Sequence, residues 1–243
     1  KKTGPTGYEM GTSATSTVFL YANDFLAENI TVENASGEGK EIGQACAITV
    51  DGDRVAFINC RFIGNQDTIY TYGKGQRQYY RGCWIEGTTD FIFGASTCWF
   101  EDCTILSKKN SYITAASTPE NEKFGYVFRN CRLIHDENAS EVYLGRPWRS
   151  YAKTVFINCD LSDHILKEGW HNWSKPYAEK TTFYAEYGNT GPGAAGPKER
   201  VSWSHFLKEK ELKQYTPENV LQCGSEQDKH GKDVKVEWYF KVF

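Results

Sequence analysis

Two aspartates stand at the same offset from two cysteines, and a close pair of carboxyl groups can carry acid–base chemistry. Asp67 lies seven residues after Cys60, and Asp90 lies seven residues after Cys83, both within the pattern Cys-x-x-x-Gly-x-x-Asp. If the two segments are neighbouring strands in register, their backbones are about 5 Å apart. Two carboxylates that close cannot both ionise at low cost, so one pKa should rise while the other stays low. Such a pair supplies a neutral acid beside an ionised nucleophile or base.

A structural role for both aspartates stays open at this point, because Asp also stabilises turns through hydrogen bonds to nearby backbone. Spacing alone does not separate the two roles. The same offset from the next cysteines holds Asn110, Asn138 and then Leu166. The acidic pair is therefore local and does not belong to every repeat.

Three more polar residues could join the pair. Gln44 alternates with apolar residues as in a strand, and Gln66 directly precedes Asp67. A glutamine amide can donate a hydrogen bond to a developing oxyanion. Arg146 can make the two-pronged contact that keeps a carboxylate ionised, or it can be an ordinary surface arginine. Convergence of these side chains in space would decide between the roles.

The elements that must position these residues are visible as a repeat around the cysteines. Each copy has a short apolar strand ending in Cys, and successive copies are 30, 23, 20, 28 and 28 residues apart, counted from Ile30, which replaces Cys in the first. A period of this length without intervening helices predicts a solenoid, here a parallel β-helix of the all-β class. The cysteines then form an inward ladder of small apolar side chains, although a disulfide from Cys103 to Cys83 or Cys131 stays open. The six copies are residues 25–32, 56–62, 79–85, 99–105, 127–133 and 155–161.

Composition excludes several classes of protein. The chain of 243 residues has 28 Lys and Arg against 31 Asp and Glu, so it lacks the positive charge that binds nucleic acid. No stretch approaches the roughly 18 apolar residues of a membrane span. The first residues contain no apolar signal-peptide core. The chain contains no Cys-x-x-Cys pair, so the sequence gives no indication of a structural zinc site.

The C-terminal part departs from the repeat. Residues 184–196 form a loop rich in Gly and Pro. Ser204 is predicted to cap a short helix that contains Phe206, Leu207 and Leu212 and covers one flank of the solenoid. We assign no role to residues 234–240.

Four motifs in order resemble the signature series of the pectin methylesterase (pectinesterase) family. They are Gln-Ala-x-Ala at 44–47, Gly-x-Gln-Asp-Thr at 64–68, Asp-Phe-Ile-Phe-Gly at 90–94 and Leu-Gly-Arg-Pro-Trp at 144–148. The similarity covers most of the chain. It implies a right-handed parallel β-helix with a short C-terminal helical segment, and an enzyme that removes methyl esters from pectin.

The resemblance also assigns roles to the residues of the motifs. Asp90 would be the nucleophile, and Asp67 the general acid and later the base. Gln44 and Gln66 would stabilise the oxyanion, and Arg146 would hold Asp90.

Substrate contacts are implied by the same resemblance. Trp148 and Phe93 would pack on the sugar, and Thr12 aligns more loosely with a substrate-contacting threonine. No metal and no cofactor is implied, and the partner is the pectin polysaccharide, without nucleic acid or membrane. We expect a monomer that is secreted or located in the cell envelope, with residues 1–243 as one domain that lacks the family's N-terminal segment.

Three other functions remain open as alternatives to ester hydrolysis. A pectate lyase or a polygalacturonase on the same solenoid could also use clustered aspartates, and a solenoid that only binds polysaccharide would show no turnover.

Overall fold

The repeated segments form the coils of a parallel β-helix in the computed structural model, which describes residues 7–227, 233–235 and 237–240. Successive coils contribute strands to three parallel sheets, so the predicted fold class is confirmed. No helix among the described residues is long and apolar enough to cross a membrane.

Strands that are distant in sequence pair because each coil stacks on the previous one. The first sheet contains, in pairing order, β1 (Val18–Leu20), β4 (Ile48–Val50), β7 (Ile69–Thr71), β10 (Ile92–Gly94), β13 (Tyr112–Ala116) and β16 (Tyr143–Gly145). The second contains β2 (Phe25–Glu28), β5 (Val55–Ile58), β8 (Arg77–Arg81), β11 (Thr97–Glu101), β14 (Tyr126–Arg129), β17 (Lys153–Ile157), β19 (Phe183–Tyr187) and β20 (His205–Phe206). The third contains β3 (Thr31–Glu33), β6 (Arg61–Ile63), β9 (Trp84–Gly87), β12 (Thr104–Ser107), β15 (Arg132–His135) and β18 (Asp160–Leu161).

The corner between the second and third sheets is the same in six coils. It has two residues each time, and the first of them has a positive φ between 52° and 62°. Asn, Asp and Gly tolerate this left-handed conformation best, and these are the residue types found there. They are Asn29, Asn59, Gly82, Asp102, Asn130 and Asn158.

The second residue of that corner is the cysteine of the repeat, or Ile30 in the first coil. The five corner cysteines are buried, and their thiols donate to backbone carbonyls, as Cys83 does to Phe57 at 3.4 Å. Cys83, Cys103 and Cys131 are free thiols, so no disulfide forms from Cys103 to either neighbour.

Aromatic rings stack through the interior of the solenoid. Phe57, Tyr80, Phe100, Phe128 and Phe156 occupy the same position three residues before the cysteine, and their successive ring centroids are 5.1, 4.6, 4.4 and 4.4 Å apart. Side chains at equivalent positions repeat at the spacing of the strands, which suits ring stacking. This column runs through five successive coils.

A second apolar cluster covers the outer face of the second sheet. There Trp99, Val127 and Val155 pack with Tyr215 and Val220 from the C-terminal region. The region contains α2 (Glu209–Leu212), α3 (Pro217–Val220) and a 3-10 turn over Trp238–Phe240, and its Tyr239 ring lies 4.6 Å from that of Tyr79. The remaining short elements are α1 (Gly39–Ile42), 3-10 turns over Thr12–Ala14 and Ala178–Lys180, and the antiparallel pair β21 (Ser225–Gln227) and β22 (Asp233–Lys235).

The predicted helix exists, but its predicted start is wrong. Helix α2 begins at Glu209, after an N-cap at Lys208, and the Ser204 hydroxyl instead donates to the carbonyl of Val201 at 2.9 Å. Phe206 cannot join the helix because it lies in β20, where it pairs with Glu186 of β19.

A buried ion pair fastens the segment after β19 to the last coil. Residues 184–187, predicted as part of the Gly- and Pro-rich loop, belong to β19 instead. The Arg200 guanidinium donates to the Glu186 carboxylate at 2.7 and 3.1 Å, and the side chains of Arg200 and Glu186 are 0% and 3% exposed. Arg200 also donates to the carbonyls of Leu166, Lys167 and Gly193 at 2.9 to 3.1 Å. All five of its hydrogen bonds are thus made inside the protein.

We predict that Arg200→Met lowers the free energy of unfolding by about 3–5 kcal/mol, because Glu186 is left charged and buried. Chemical denaturation monitored by circular dichroism measures this loss. Lys167→Met is the matched control, since its ion pair with Glu199 joins side chains that are 79% and 47% exposed. Equal stabilities of the two variants would contradict the role given to the buried pair.

Candidate active site

Strand register places the two aspartates on adjacent coils. In the pairing of β7 with β10, Ile69 lies opposite Ile92, so Asp67 and Asp90, each two residues earlier, occupy equivalent positions. The Asp67 N–H donates to the Thr89 carbonyl at 3.0 Å, so the hydrogen bonding between the two coils extends beyond the strands to the aspartates. The offset found in the sequence is therefore a real adjacency in space.

Both aspartates also have the backbone conformation of a turn residue. Their φ angles are 67° for Asp67 and 50° for Asp90, in the left-handed region where Asp is among the tolerated residues. Both aspartates therefore occupy turn positions, and the chemical role remains a prediction. The turn aims both carboxyl groups into the same cleft, which they line together.

Later coils do not place asparagines at the equivalent position. Thr114 pairs with Ile92, so the residue opposite Asp90 is Tyr112, and the Asp90 N–H donates to the Tyr112 carbonyl at 2.8 Å. The offset of seven residues from the cysteine leads to Asn110 rather than Tyr112, because this corner has two more residues before the paired strand positions. Asn110 instead accepts from the N–H groups of Ser140 and Glu141 at 2.7 and 3.0 Å.

Arg146 follows β16 and contacts Asp90 with both prongs of its guanidinium. Its Nε and Nη2 donate to the two carboxylate oxygens of Asp90 at 2.9 and 2.7 Å. The guanidinium lies between two aromatic rings, 3.9 Å from that of Tyr112 and 3.7 Å from that of Trp173. Arg146 is therefore fixed in the cleft and is not an ordinary surface arginine.

Burial and charge separate the ionisation of the two carboxyl groups. Burial and the nearby charge of Asp90 raise the pKa of Asp67 well above its ordinary value, against a smaller opposing effect of Arg146. The sequence predicted that only one of the two pKa values would rise. This is wrong, because burial raises the pKa of Asp90 as well. The hydrogen bonds and charge of Arg146 oppose that rise, so Asp90 is the member of the pair that more readily carries the negative charge.

A cleft of about 430 Å³ brings the predicted site residues together. Neither amide of Gln44 and Gln66 hydrogen bonds to another group among the described residues, so both can donate to a bound molecule. Gly39 of α1 leaves space for the Gln66 side chain, because a Cβ at position 39 would lie only 2.5 Å from the Gln66 Oε1. The cleft is lined by Thr12, Ser13, Gln44, Gln66, Asp67, Tyr70, Asp90, Phe93, Ala115, Arg146, Trp148 and Trp173.

Aromatic rings form one wall of the cleft. Phe93 stacks on Tyr70 with centroids 4.3 Å apart, and Trp148 lies 5.8 Å from Phe93. Phe93 of β10 pairs with Tyr70 of β7 on one side and with Ala115 of β13 on the other. Gly145 of β16 pairs with Thr114, so Arg146, the next residue, lies beside Ala115. The small Ala115 side chain leaves room between the aromatic wall and Arg146.

Sequence reasoning missed Tyr70, Ser13, Ala115, Tyr112 and Trp173. Tyr70 could have been found, because it stands three residues after Asp67 as Phe93 stands three residues after Asp90. To find Tyr112, one would need to know the strand register across the longer corner between β12 and β13. Trp173 comes from a loop that has no counterpart in the repeat, and we find no sequence signal for it.

Comparison with known proteins identifies the family. The model of the family described as Pectinesterase matches residues 3–224. This chain belongs to the pectinesterase family. Pectinesterase 31 of Arabidopsis thaliana is 43% identical over 203 residues, which are 83% of this chain and 62% of that protein. This chain thus spans less than two thirds of that pectinesterase's length.

Solved structures agree with this membership. The pectin methylesterase from carrot has a TM-score of 0.81 and 31% identity, with 88% of this chain and 70% of that chain covered. A mutant pectin methylesterase in complex with a hexasaccharide has a TM-score of 0.77 and 28% identity, with 90% and 76% covered.

We predict that Asp90→Asn lowers the pKa of Asp67. The substitution removes a neighbouring negative charge and frees the positive charge of Arg146, and both changes favour the Asp67 carboxylate. Carbon-13 NMR of the aspartate carboxyl groups measures the shift. Asp102→Asn, at an exposed corner, should leave the Asp67 titration unchanged, and a constant or raised Asp67 pKa in Asp90→Asn would show that the two carboxyls do not interact.

Proposed function

We propose that this chain hydrolyses the methyl esters of pectin and releases methanol. The observation that carries the proposal is the Asp90 carboxylate held by Arg146 at 2.9 and 2.7 Å, on the coil next to an Asp67 whose pKa is strongly raised. A carboxylate kept ionised beside a carboxylic acid kept neutral is the pair that nucleophilic ester hydrolysis needs. Family membership and the hexasaccharide bound to a related pectin methylesterase support the choice of substrate.

Asp90 is the proposed nucleophile. Its carboxylate oxygen attacks the ester carbonyl carbon, and the carbonyl electron pair moves onto oxygen as an oxyanion. The amides of Gln44 and Gln66, which line the same cleft, donate hydrogen bonds to that oxyanion. Collapse of the intermediate breaks the bond to the methoxy oxygen and leaves the acyl group on Asp90.

Asp67 is the proposed acid and base. It gives its proton to the departing methoxy oxygen, which leaves as methanol. It then takes a proton from the water that attacks the acyl group, so that hydrolysis returns Asp90 as a carboxylate and Asp67 as an acid. Both residues regain their starting states after one turnover. The product leaves as galacturonic acid, which releases its proton to solvent and becomes galacturonate.

The aromatic wall is the proposed sugar platform. Trp148 and Phe93 offer ring faces to the apolar side of a sugar, and Thr12 adds a polar contact at the edge of the cleft. We further propose that the whole protein acts as a monomer in the cell envelope or outside the cell, on pectin and without a cofactor.

The proposed activity predicts methanol from highly methylesterified pectin, and none from Asp90→Asn, because a neutral amide cannot attack the ester. Alcohol oxidase coupled to a colour reaction measures the methanol. Asp102→Asn, with a left-handed φ of 53°, is the matched control and should keep its activity. Activity of Asp90→Asn within tenfold of wild type would contradict the nucleophile. New reducing ends or ultraviolet-absorbing unsaturated ends without methanol would indicate a glycosidase or a lyase instead.

We predict that Arg146→Ala lowers kcat at least about 10²-fold, comparable to the loss of one transition-state donor. The acidic limb of the pH profile should move to higher pH, because Asp90 loses the partner that lowers its pKa and must be ionised to react. Arg146→Lys should recover only part of the rate, since an ammonium cannot make the two-pronged contact. Full activity of Arg146→Lys, or an unmoved acidic limb in Arg146→Ala, would contradict this role.

A further inference from the structure

Residues 171–175, here called the clamp segment, have an unusual backbone beside the cleft. Trp173 and Ser174 are consecutive non-glycine residues with φ of 55° and 54°. Each left-handed residue of this kind costs about 1–3 kcal/mol and persists only where surrounding contacts impose it. The contacts that impose it can be identified.

Hydrogen bonds within the clamp segment fix the turn. The Trp173 N–H donates to Nδ1 of His171 at 2.9 Å, and the Ser174 N–H donates to Oδ1 of Asn172 at 2.9 Å. The Asn172 amide in turn donates to Glu179 at 2.7 Å. These bonds hold Trp173 at the position where its ring covers Arg146.

Lys175 joins the clamp segment to the segment that carries Arg146. Its ammonium donates to the carbonyls of Pro147 and Trp148 at 3.0 and 3.1 Å. The same ammonium lies 4.3 Å from the centre of the Trp173 ring. One side chain therefore connects the residues directly after Arg146 with the ring that lies on it.

We propose that Lys175 is a positioning residue for the Arg146–Asp90 pair, acting through Trp173 and the backbone of Pro147 and Trp148. The proposal rests on the proposed function, because positioning matters only if Asp90 is the nucleophile. Lys175 touches neither carboxylate through a hydrogen bond and is not a catalytic residue.

The charge of Lys175 also acts on Asp90. The groups that influence Asp90 are Arg146 and Lys175, which favour its anion, while Asp67 and the buried Tyr184 hydroxyl are its other titratable neighbours. Burial lowers the pKa of the Lys175 ammonium, and the nearby charges of Arg149 and Arg146 lower it further. Loss of the Lys175 charge should therefore raise the pKa of Asp90.

The test compares Lys175→Met with Lys175→Arg, and with Lys210→Met on the exposed helix α2 as the control for the same substitution. For Lys175→Met we expect kcat to fall about 10- to 100-fold, the effect of a misplacement of up to about 1 Å at the reacting groups. KM should change much less, and the acidic limb of the kcat profile should move to higher pH. Lys175→Arg should stay within about threefold of wild type, because a guanidinium keeps the charge, can donate to both carbonyls and stacks on Trp173.

A readout without turnover separates this proposal from the proposed function. Carbon-13 NMR of the Asp90 carboxyl group should show a raised pKa in Lys175→Met and none in Lys210→Met. A wild-type chain that releases no methanol contradicts the proposed function, whereas an unchanged Asp90 titration contradicts the positioning role. A loss of kcat that Lys175→Arg does not recover also overturns the positioning role.

Folding of the variant is checked by circular dichroism and thermal unfolding. If Lys175→Met does not fold, Lys175→Gln replaces it, since a glutamine can still donate to one carbonyl but carries no charge. The shift of the Asp90 pKa is expected there as well, and its absence overturns the proposal.

Discussion

In-register hydrogen bonding between successive coils is the constraint on which the whole site depends. Because each strand pairs with the equivalent strand of the next coil, residues far apart in sequence come to neighbouring positions at one strand spacing. Gln66 and Asp67, Asp90, and Arg146 come from three different coils and converge only through that register. A slip of one residue in any of these strands would turn its side chains to the opposite face of the sheet.

Burying two carboxyl groups in one cleft would be unfavourable without a compensating charge. Arg146 supplies that charge to Asp90, and the rings of Tyr112 and Trp173 keep the guanidinium between them. A guanidinium tolerates such an apolar environment better than an ammonium because it is more weakly hydrated. The rings of Tyr112 and Trp173 therefore hold the cation that determines which carboxyl is more readily ionised.

The sequence predicts the coils and the acidic pair because both depend on short, regular spacings. The position of Asp67 and Asp90 relative to their cysteines is kept in space, since the corners involved have similar lengths. Where a corner is longer, the fixed offset from the cysteine no longer gives the position in space, as at Asn110. The prediction for Ser204 failed because pairing with β19 extends the sheet beyond the last cysteine repeat. Trp173 and Lys175 reach the cleft from a loop outside the repeat, and contacts of that kind are set by tertiary structure rather than by local pattern.

The corners of the solenoid differ in how much variation they accept. The corner that contains the cysteine has two residues in six coils, whereas those from the third sheet to the first have 4 to 14 residues and those from the first sheet to the second have 2 to 9. The invariant corner lies beside the sheets that carry no site residue, and the variable ones border the cleft. The constant corner thus keeps successive coils aligned, and the differences in loop length fall on the side of the solenoid that forms the cleft. Asp67, Asp90 and Arg146 themselves lie in these variable corners, so the length of each corner sets which side chain reaches the cleft.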